Sequence, residues 1–125
     1  MAKLPYLDEL NDRRREHAIV YNSALSNYVN HVPTELNDRY HTFHLYSVLV
    51  DNRSDMSKWL QGQNIEALSH WPKGLQDYSH TPNATHELTN TDIITSQTMS
   101  LPCSPFHTEQ ERSYVIEKVQ EFNAT

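Results

Sequence analysis

The sequence predicts one small α+β domain, in which helices pack on a short three-stranded sheet. Three observations predict it. The chain has 125 residues, enough for one small domain with a single core. Stretches of helical and strand-like period follow one another in the order helix, strand, helix, strand, helix, strand, helix. Pro33, Pro72 and Pro102 stand between stretches, where they break ladders and end elements. The crossovers permit parallel or antiparallel pairing alike.

Leu4 to Tyr28 reads as one long helix. Pro5 suits a first helical position. Leu4, Leu7, Leu10, Ala18, Tyr21, Leu25 and Tyr28 fall mostly three or four apart and form one apolar stripe. A helix this long on so small a domain is a candidate docking element. Arg13, Arg14, Arg15 and Glu16 interrupt the stripe. They read as a solvated face with Glu9 and Asp12 in pairing range, or as an anion contact with a partner.

Val32 to Glu35 is a linker. Tyr40 to Val50 is the longest run of aromatic and β-branched residues and reads as the central strand. Side chains alternate, so Phe43, Leu45 and Leu49 share one face, and Tyr40, His44, Tyr46, Val48 and Val50 the other. Asp51 to Ser54 is a turn. Asp55 to Gln61 reads as a helix capped by Ser54, with Met56, Trp59 and Leu60 inward. Asn64 to Trp71 reads as a second strand, with Ile65, Ala67 and Ser69 opposite Glu66, Leu68 and His70.

Leu75 to Asn90 is the least regular region, and a loop of that length is functional or mobile. Thr91 is expected to cap a short helix with Ile94 inward. Met99 to Leu101 reads as a third strand closed by Pro102. Thr108 with Glu111 has capping-box spacing and opens a last helix whose stripe is Tyr114, Val115, Val119 and Phe122.

Composition excludes several classes. The net charge is −6 and the pI about 5.7, which argues against nucleic-acid binding, since that needs a basic face. Mean hydropathy of −0.74 and 37% hydrophobic residues predict a modest core and a polar surface. Cys103 is the one cysteine, so no intrachain disulfide forms. The N-terminal region holds no apolar stretch, so neither a signal peptide nor a membrane span is expected and a cytoplasmic location is the default. The sequons at Asn52, Asn83 and Asn123 then read as chance matches.

Chemistry is sparse. The two glycines, Gly62 and Gly74, are far apart, so no glycine-rich phosphate cradle exists. Lys3, Lys58, Lys73 and Lys118 sit in segments that read as exposed, whereas a Schiff-base lysine needs desolvation. Eight histidines invite a metal reading. His41 and His44, however, point to opposite strand faces, and His70, His80, His86 and His107 could meet only through the loop. Surface or hydrogen-bonded histidines are the preferred reading. Cys103 with His107 would need a depressed thiol pKa, and Pro105 between them prevents helical alignment. A buried or semi-buried free thiol is expected.

The residues nevertheless carry a resemblance. Lys3-Leu4-Pro5-Tyr6-Leu7-Asp8-Glu9-Leu10-Asn11, then Arg13-Arg14-Arg15-Glu16 and Tyr21-Asn22, resemble the helix that opens the small C-terminal domain of DegT/DnrJ-type sugar aminotransferases. These fold-type-I enzymes use pyridoxal phosphate to aminate nucleotide-linked keto-sugars. His44-Leu45-Tyr46 is similar to that family's His-Leu-Tyr strand. Asn64-Ile65 with His70-Trp71 is similar to its Gly-Ile and His-Tyr segment. Thr91-Asp92, Ile94, Ser100-Leu101-Pro102, Pro105, Thr108 and Val115-Ile116-Glu117 resemble its closing helix, strand and helix. The match runs from about residue 3 to 122.

The resemblance implies a small α/β sandwich with a long N-terminal helix and a short, mainly antiparallel sheet covered by helices, as one domain over 1–125. It also implies what this chain does without. The family's Schiff-base lysine, pyridine-nitrogen aspartate and phosphate cup lie in a large N-terminal domain, so no cofactor is expected on this chain and no catalysis by it alone. His70, Trp71, Ser100 and Ser104 stand where the small domain helps to wall the substrate site. Lys73 to Asp77 replaces the family's usual Pro-Leu-His and further aromatics, and Asn64 replaces its usual glycine.

The expected function is therefore a detached domain that docks on a large-domain partner or self-associates through an exposed patch around Tyr6 and the Leu4–Tyr28 stripe. The alternatives are half of a split enzyme, or a small-ligand regulatory module whose pocket is the Leu75–Asn90 loop with Trp71, Tyr78 and His80.

Overall fold

The computed structural model describes residues 3–78 and 88–124. A 3-10 turn at Leu4–Tyr6 leads into α1 (Leu7–Leu25). Strand β1 (Tyr46–Leu49) is followed by α2 (Arg53–Gly62) and a second 3-10 turn, Leu75–Asp77. Then come α3 (Thr89–Gln97), β2 (Thr98–Leu101) and α4 (Glu109–Ala124).

The sheet has two antiparallel strands, with Tyr46 opposite Leu101, Ser47 opposite Ser100, Val48 opposite Met99 and Leu49 opposite Thr98. The expected third strand at 64–71 is reduced to one bridge. Leu68 and Ser100 exchange both backbone bonds, at 3.2 and 2.8 Å, and no other residue of 64–71 pairs. Its alternation is as expected, with Ile65 and Ala67 buried and Glu66, Leu68 and His70 exposed. On the far edge, His31 pairs with Leu49 in the same single-residue manner.

β1 is much shorter than the Tyr40–Val50 run. Phe43 has φ +46°, a left-handed conformation that stops an extended strand before it starts. The core face belongs to Tyr46, Val48 and Val50, while Leu45 and Leu49 are half-buried.

α1 packs on α4, and α4 on α2. α1 buries His17, Ala18, Tyr21 and Leu25, two turns of one face. The last two of these join Tyr46, Val48, Met56, Leu60, Met99 and Val119 as the large, fully buried side chains. Each such aliphatic side chain contributes about 1.5–3 kcal/mol relative to exposure. The rings of Tyr21 and Tyr46 lie 4.9 Å apart. Their hydroxyls donate to the Pro102 carbonyl at 2.8 Å and to Asn22 Oδ1 at 2.7 Å.

Local chemistry sets the boundaries. The long helix is a 3-10 turn holding Pro5, then nineteen α-helical residues ending at Leu25. α2 begins at Arg53 with Asn52 as N-cap and no side-chain cap, so Ser54 lies inside the helix. It ends in a Schellman motif: Ile65 N–H donates to Leu60 C=O at 2.9 Å and Asn64 N–H to Gln61 C=O at 3.0 Å. Asn64 there has φ +59°, a conformation open to glycine and, next best, to asparagine. α3 starts at Thr89, before Thr91, and Ile94 is 51% exposed. α4 carries the expected capping box. Thr108 N–H donates to Glu111 Oε2 at 2.7 Å, and Glu111 N–H donates to Thr108 Oγ1 at 3.2 Å.

One polar clamp holds the 35–43 segment on α1. Arg15 binds both Glu35 oxygens, at 2.6 and 2.8 Å, and the His41 carbonyl at 2.8 Å. Its guanidinium lies 4.3 Å from the Tyr40 ring centre, and Tyr40 donates to Asp12 Oδ1 at 2.9 Å. Among the described residues, no helix is long and apolar enough to cross a membrane.

Candidate functional site

A cleft of about 580 Å³ lies beside the end of β2 and is lined by Ser100 and Leu101 among others. β2 and the turn after it supply Ser100, Ser104 and His107, α1 supplies Arg14 and Tyr21, and the 64–70 segment supplies His70. Ser100 and Ser47 share a hydroxyl–hydroxyl hydrogen bond of 3.0 Å. That follows from register: the Ser100 backbone groups face Leu68, which leaves Ser47–Ser100 a pair with close side chains.

Of the four residues singled out in the sequence, His70, Ser100 and Ser104 line this cleft. Trp71 does not, and is 72% exposed. Sequence reasoning missed Arg14, His44 and His107 as members of one site. Packing across more than ninety residues of chain puts all three on one cleft, whereas the sequence offered them only separately, in the arginine run, the His44-Leu45-Tyr46 strand and the Cys103–His107 pair. Of the expected loop pocket, His80 and most of 75–90 lie outside the described residues, and Tyr78 is exposed.

Cys103 and His107 both line the cleft, yet they are not a nucleophilic pair. The thiol donates to the Arg14 carbonyl at 3.7 Å, and His107 Nδ1 accepts from Ser104 N–H at 3.1 Å. Burial pushes the Cys103 thiol up to about 11, against the weaker opposing effect of Arg14. Behind the cleft, buried His17 has Nδ1 3.2 Å from Arg112 Nη1. Desolvation, then the Arg112 and His107 charges, hold its pKa below the ordinary value. The ring is therefore neutral, with Nδ1 accepting from the guanidinium.

No lysine lines the cleft. Lys58 is exposed, as are Lys3 and Lys73. Lys118, expected to be exposed, is largely covered. Its amine is held by Glu117 at 2.9 Å and Glu121 at 2.8 Å, which keeps it protonated. The cleft thus offers no amine for a Schiff base. Among the described residues, no group of three or more His, Cys, Asp or Glu side chains is placed to hold a metal ion.

Exposed apolar groups gather beside the cleft. Leu4, Tyr6 and Leu7 stand out from the N-terminal end of α1, and Phe106 from the turn before α4. Tyr6, Leu10 and Phe106 border a smaller hollow of about 300 Å³ with Lys3, Glu9 and Arg13. In the C-terminal half of the stripe Ala18, Tyr21 and Leu25 are core and Tyr28 is exposed, so next to this hollow the patch consists of the first turns.

Comparison with known proteins agrees with this architecture. The model of the DegT/DnrJ/EryC1/StrS aminotransferase family matches residues 1–120. A dTDP-3-amino-3,6-dideoxy-alpha-D-galactopyranose transaminase from Aneurinibacillus thermoaerophilus is 35% identical over 123 residues, 96% of this chain and 33% of the relative. A DegT DnrJ EryC1 StrS aminotransferase from Brucella abortus superposes with TM-score 0.90 at 25% identity, over 98% of this chain and 34% of that one. DesV of S. venezuelae, solved in complex with a ketimine intermediate, superposes with TM-score 0.88 at 25% identity, again over 98% and 34%. The chain spans about a third of the length of the curated relatives it matches.

Proposed function

The chain belongs to the DegT/DnrJ/EryC1/StrS aminotransferase family, and on that premise we propose that it supplies the small, substrate-facing domain of a nucleotide-sugar aminotransferase. It docks on a large domain and is not a catalyst by itself. The observation that carries this reading is the cleft. It is lined by hydroxyl and imidazole groups from Ser100, Ser104, His70, His44 and His107, the kind of polar lining that orients a sugar, and it lacks a lysine.

The family depends on pyridoxal phosphate. When bound, that group supplies the electron sink for amino transfer. The residues here do not fit it, since none of the four lysines lines the cleft. The catalytic lysine and the cofactor pocket would come from the large domain. This chain's part is to wall the substrate, exclude water and present the exposed Leu4, Tyr6, Leu7 and Phe106 as the docking surface.

The test is a titration of this chain into a cofactor-loaded large domain of the Aneurinibacillus relative, read by size-exclusion light scattering and by amination of a dTDP-linked keto-sugar. A one-to-one complex with restored amination is expected. Failure of the two to associate, with the chain a strict monomer at all dilutions, would overturn the docking role.

A further inference from the structure

We propose that His17 is an acid-sensitive latch between α1 and α4. Neutral, it fastens the first helix to the last. Protonated, it releases α1 from the 102–112 segment and parts two sides of the cleft, which carry Arg14 and Tyr21 on one and Pro102, Ser104 and His107 on the other. The device works whatever occupies the cleft.

The latch stands in a row. Polar contacts tie α1 to the chain leaving β2 and to α4 at Arg14, His17, Tyr21 and Ala24, three or four residues apart along the helix. The Arg14 carbonyl accepts from the Cys103 thiol at 3.7 Å. The Tyr21 hydroxyl donates to the Pro102 carbonyl at 2.8 Å, and the Ala24 carbonyl accepts from Gln120 Nε2 at 3.1 Å. His17 is buried in the middle, with Nδ1 3.2 Å from Arg112 Nη1. Burial keeps the Tyr21 phenol and the Cys103 thiol protonated, and a guanidinium is always charged. The imidazole is therefore the group of this row that changes charge between about pH 5 and 8.

The geometry tolerates one charge state. A guanidinium only donates, so Nδ1 must accept. A proton on Nδ1 would set donor against donor and cation against cation at 3.2 Å, out of solvent. No acid is placed to neutralise the pair. Among the described residues no carboxylate forms an ion pair with Arg112, and its Nε is buried without a partner. Glu111 on α4 has Oε2 engaged by the Thr108 N–H and hydroxyl. Glu16, whose charge favours a protonated ring, precedes His17 on α1 and is exposed. In the turn before α4, the His107 charge opposes protonation of His17, and a hydrogen bond to the His107 backbone favours it. Desolvation, then the Arg112 and His107 charges, outweigh the two favourable effects, so the folded ring holds a proton more weakly than the ordinary value of 6.5 implies. The released, solvated ring binds the proton more readily. The latch is thus fully closed above about pH 6.5 and weakens as the pH falls below it.

The experiment measures amide hydrogen exchange of α4 from Arg112 onward, corrected for intrinsic rates, in the full chain at about pH 7.5 and about pH 5.5. Wild type, His17→Gln and His107→Gln are compared, with melting temperatures at the higher pH as folding controls. Wild-type protection should fall about tenfold at the lower pH, where a solvated imidazole is about nine-tenths protonated. His17→Gln can still accept from Arg112 but does not titrate, and should show no such fall. His107→Gln should keep it. No fall in the wild type, an equal fall in His17→Gln, or a fall abolished by His107→Gln overturns the latch. Should His17→Gln not fold, the wild-type His17 ring decides by NMR: titration below that of the urea-unfolded chain supports the latch, and titration at or above it overturns it.

Discussion

The hydroxyl of Tyr21 on α1 donates to the carbonyl oxygen of Pro102 at 2.8 Å, which fastens the first helix to the segment leaving β2. Both residues line the cleft. Tyr21 is almost wholly buried, and its phenol is held protonated chiefly by desolvation. Tyr21→Phe keeps the ring and leaves the Pro102 carbonyl short of a donor. A loss of about 1 kcal/mol is expected, read as a lower urea midpoint with an unchanged slope.

Asn64 is the second test. Its φ of +59° closes α2 in a geometry that glycine adopts freely and alanine resists. Asn64→Ala should destabilise by about 1 kcal/mol, while Asn64→Gly should be close to neutral. Equal effects of the two substitutions in thermal unfolding would show that the left-handed turn does not hold in solution.

The Arg15–Glu35 clamp sets an acid limb. The Arg15 hydrogen bond first, then the His41 N–H, lower the Glu35 pKa from 4.5 to about 2. A carboxyl whose pKa falls on folding stabilises the native state above its unfolded value. That contribution is fully present above about pH 4.5 and is lost as pH falls towards 2. The pair is partly exposed, so salt should weaken it. Denaturation between pH 5 and 2.5 should show the wild type losing more stability than Glu35→Gln, most clearly at low ionic strength.

Cys103 should be inert. With its thiol pushed up to about 11 by burial, almost no thiolate exists at neutral pH. Ellman's reagent should label the native chain far more slowly than the urea-unfolded chain. Rapid labelling of the folded protein would mean that the thiol is not covered.

Much of the fold was legible because the signals were local. Thr108 and Glu111 read as a capping box three residues apart and form one. Met56 and Leu60 read as inward and are buried. The alternation of 64–70 predicted its faces but not its lack of pairing, since a strand needs a neighbour that stays in reach and only Leu68 keeps one. What stayed hidden was non-local. Nothing near Phe43 announces a left-handed backbone, which adjoins the segment that Arg15 grips from another element through Glu35 and His41. The cleft was half legible. His70, Ser100 and Ser104 were singled out in the sequence and line it, whereas Arg14 looked like one of three equivalent surface arginines, two of which pair with acids.

The central claim is that this chain carries a wall of the sugar site and none of the cofactor chemistry. The most direct measurement incubates the purified chain with pyridoxal phosphate, an amino donor and a dTDP-linked keto-sugar, following cofactor absorbance and amino-sugar formation by mass. The account predicts neither a lysine-bound cofactor spectrum nor any amino sugar. Amination by this chain unaided would contradict it.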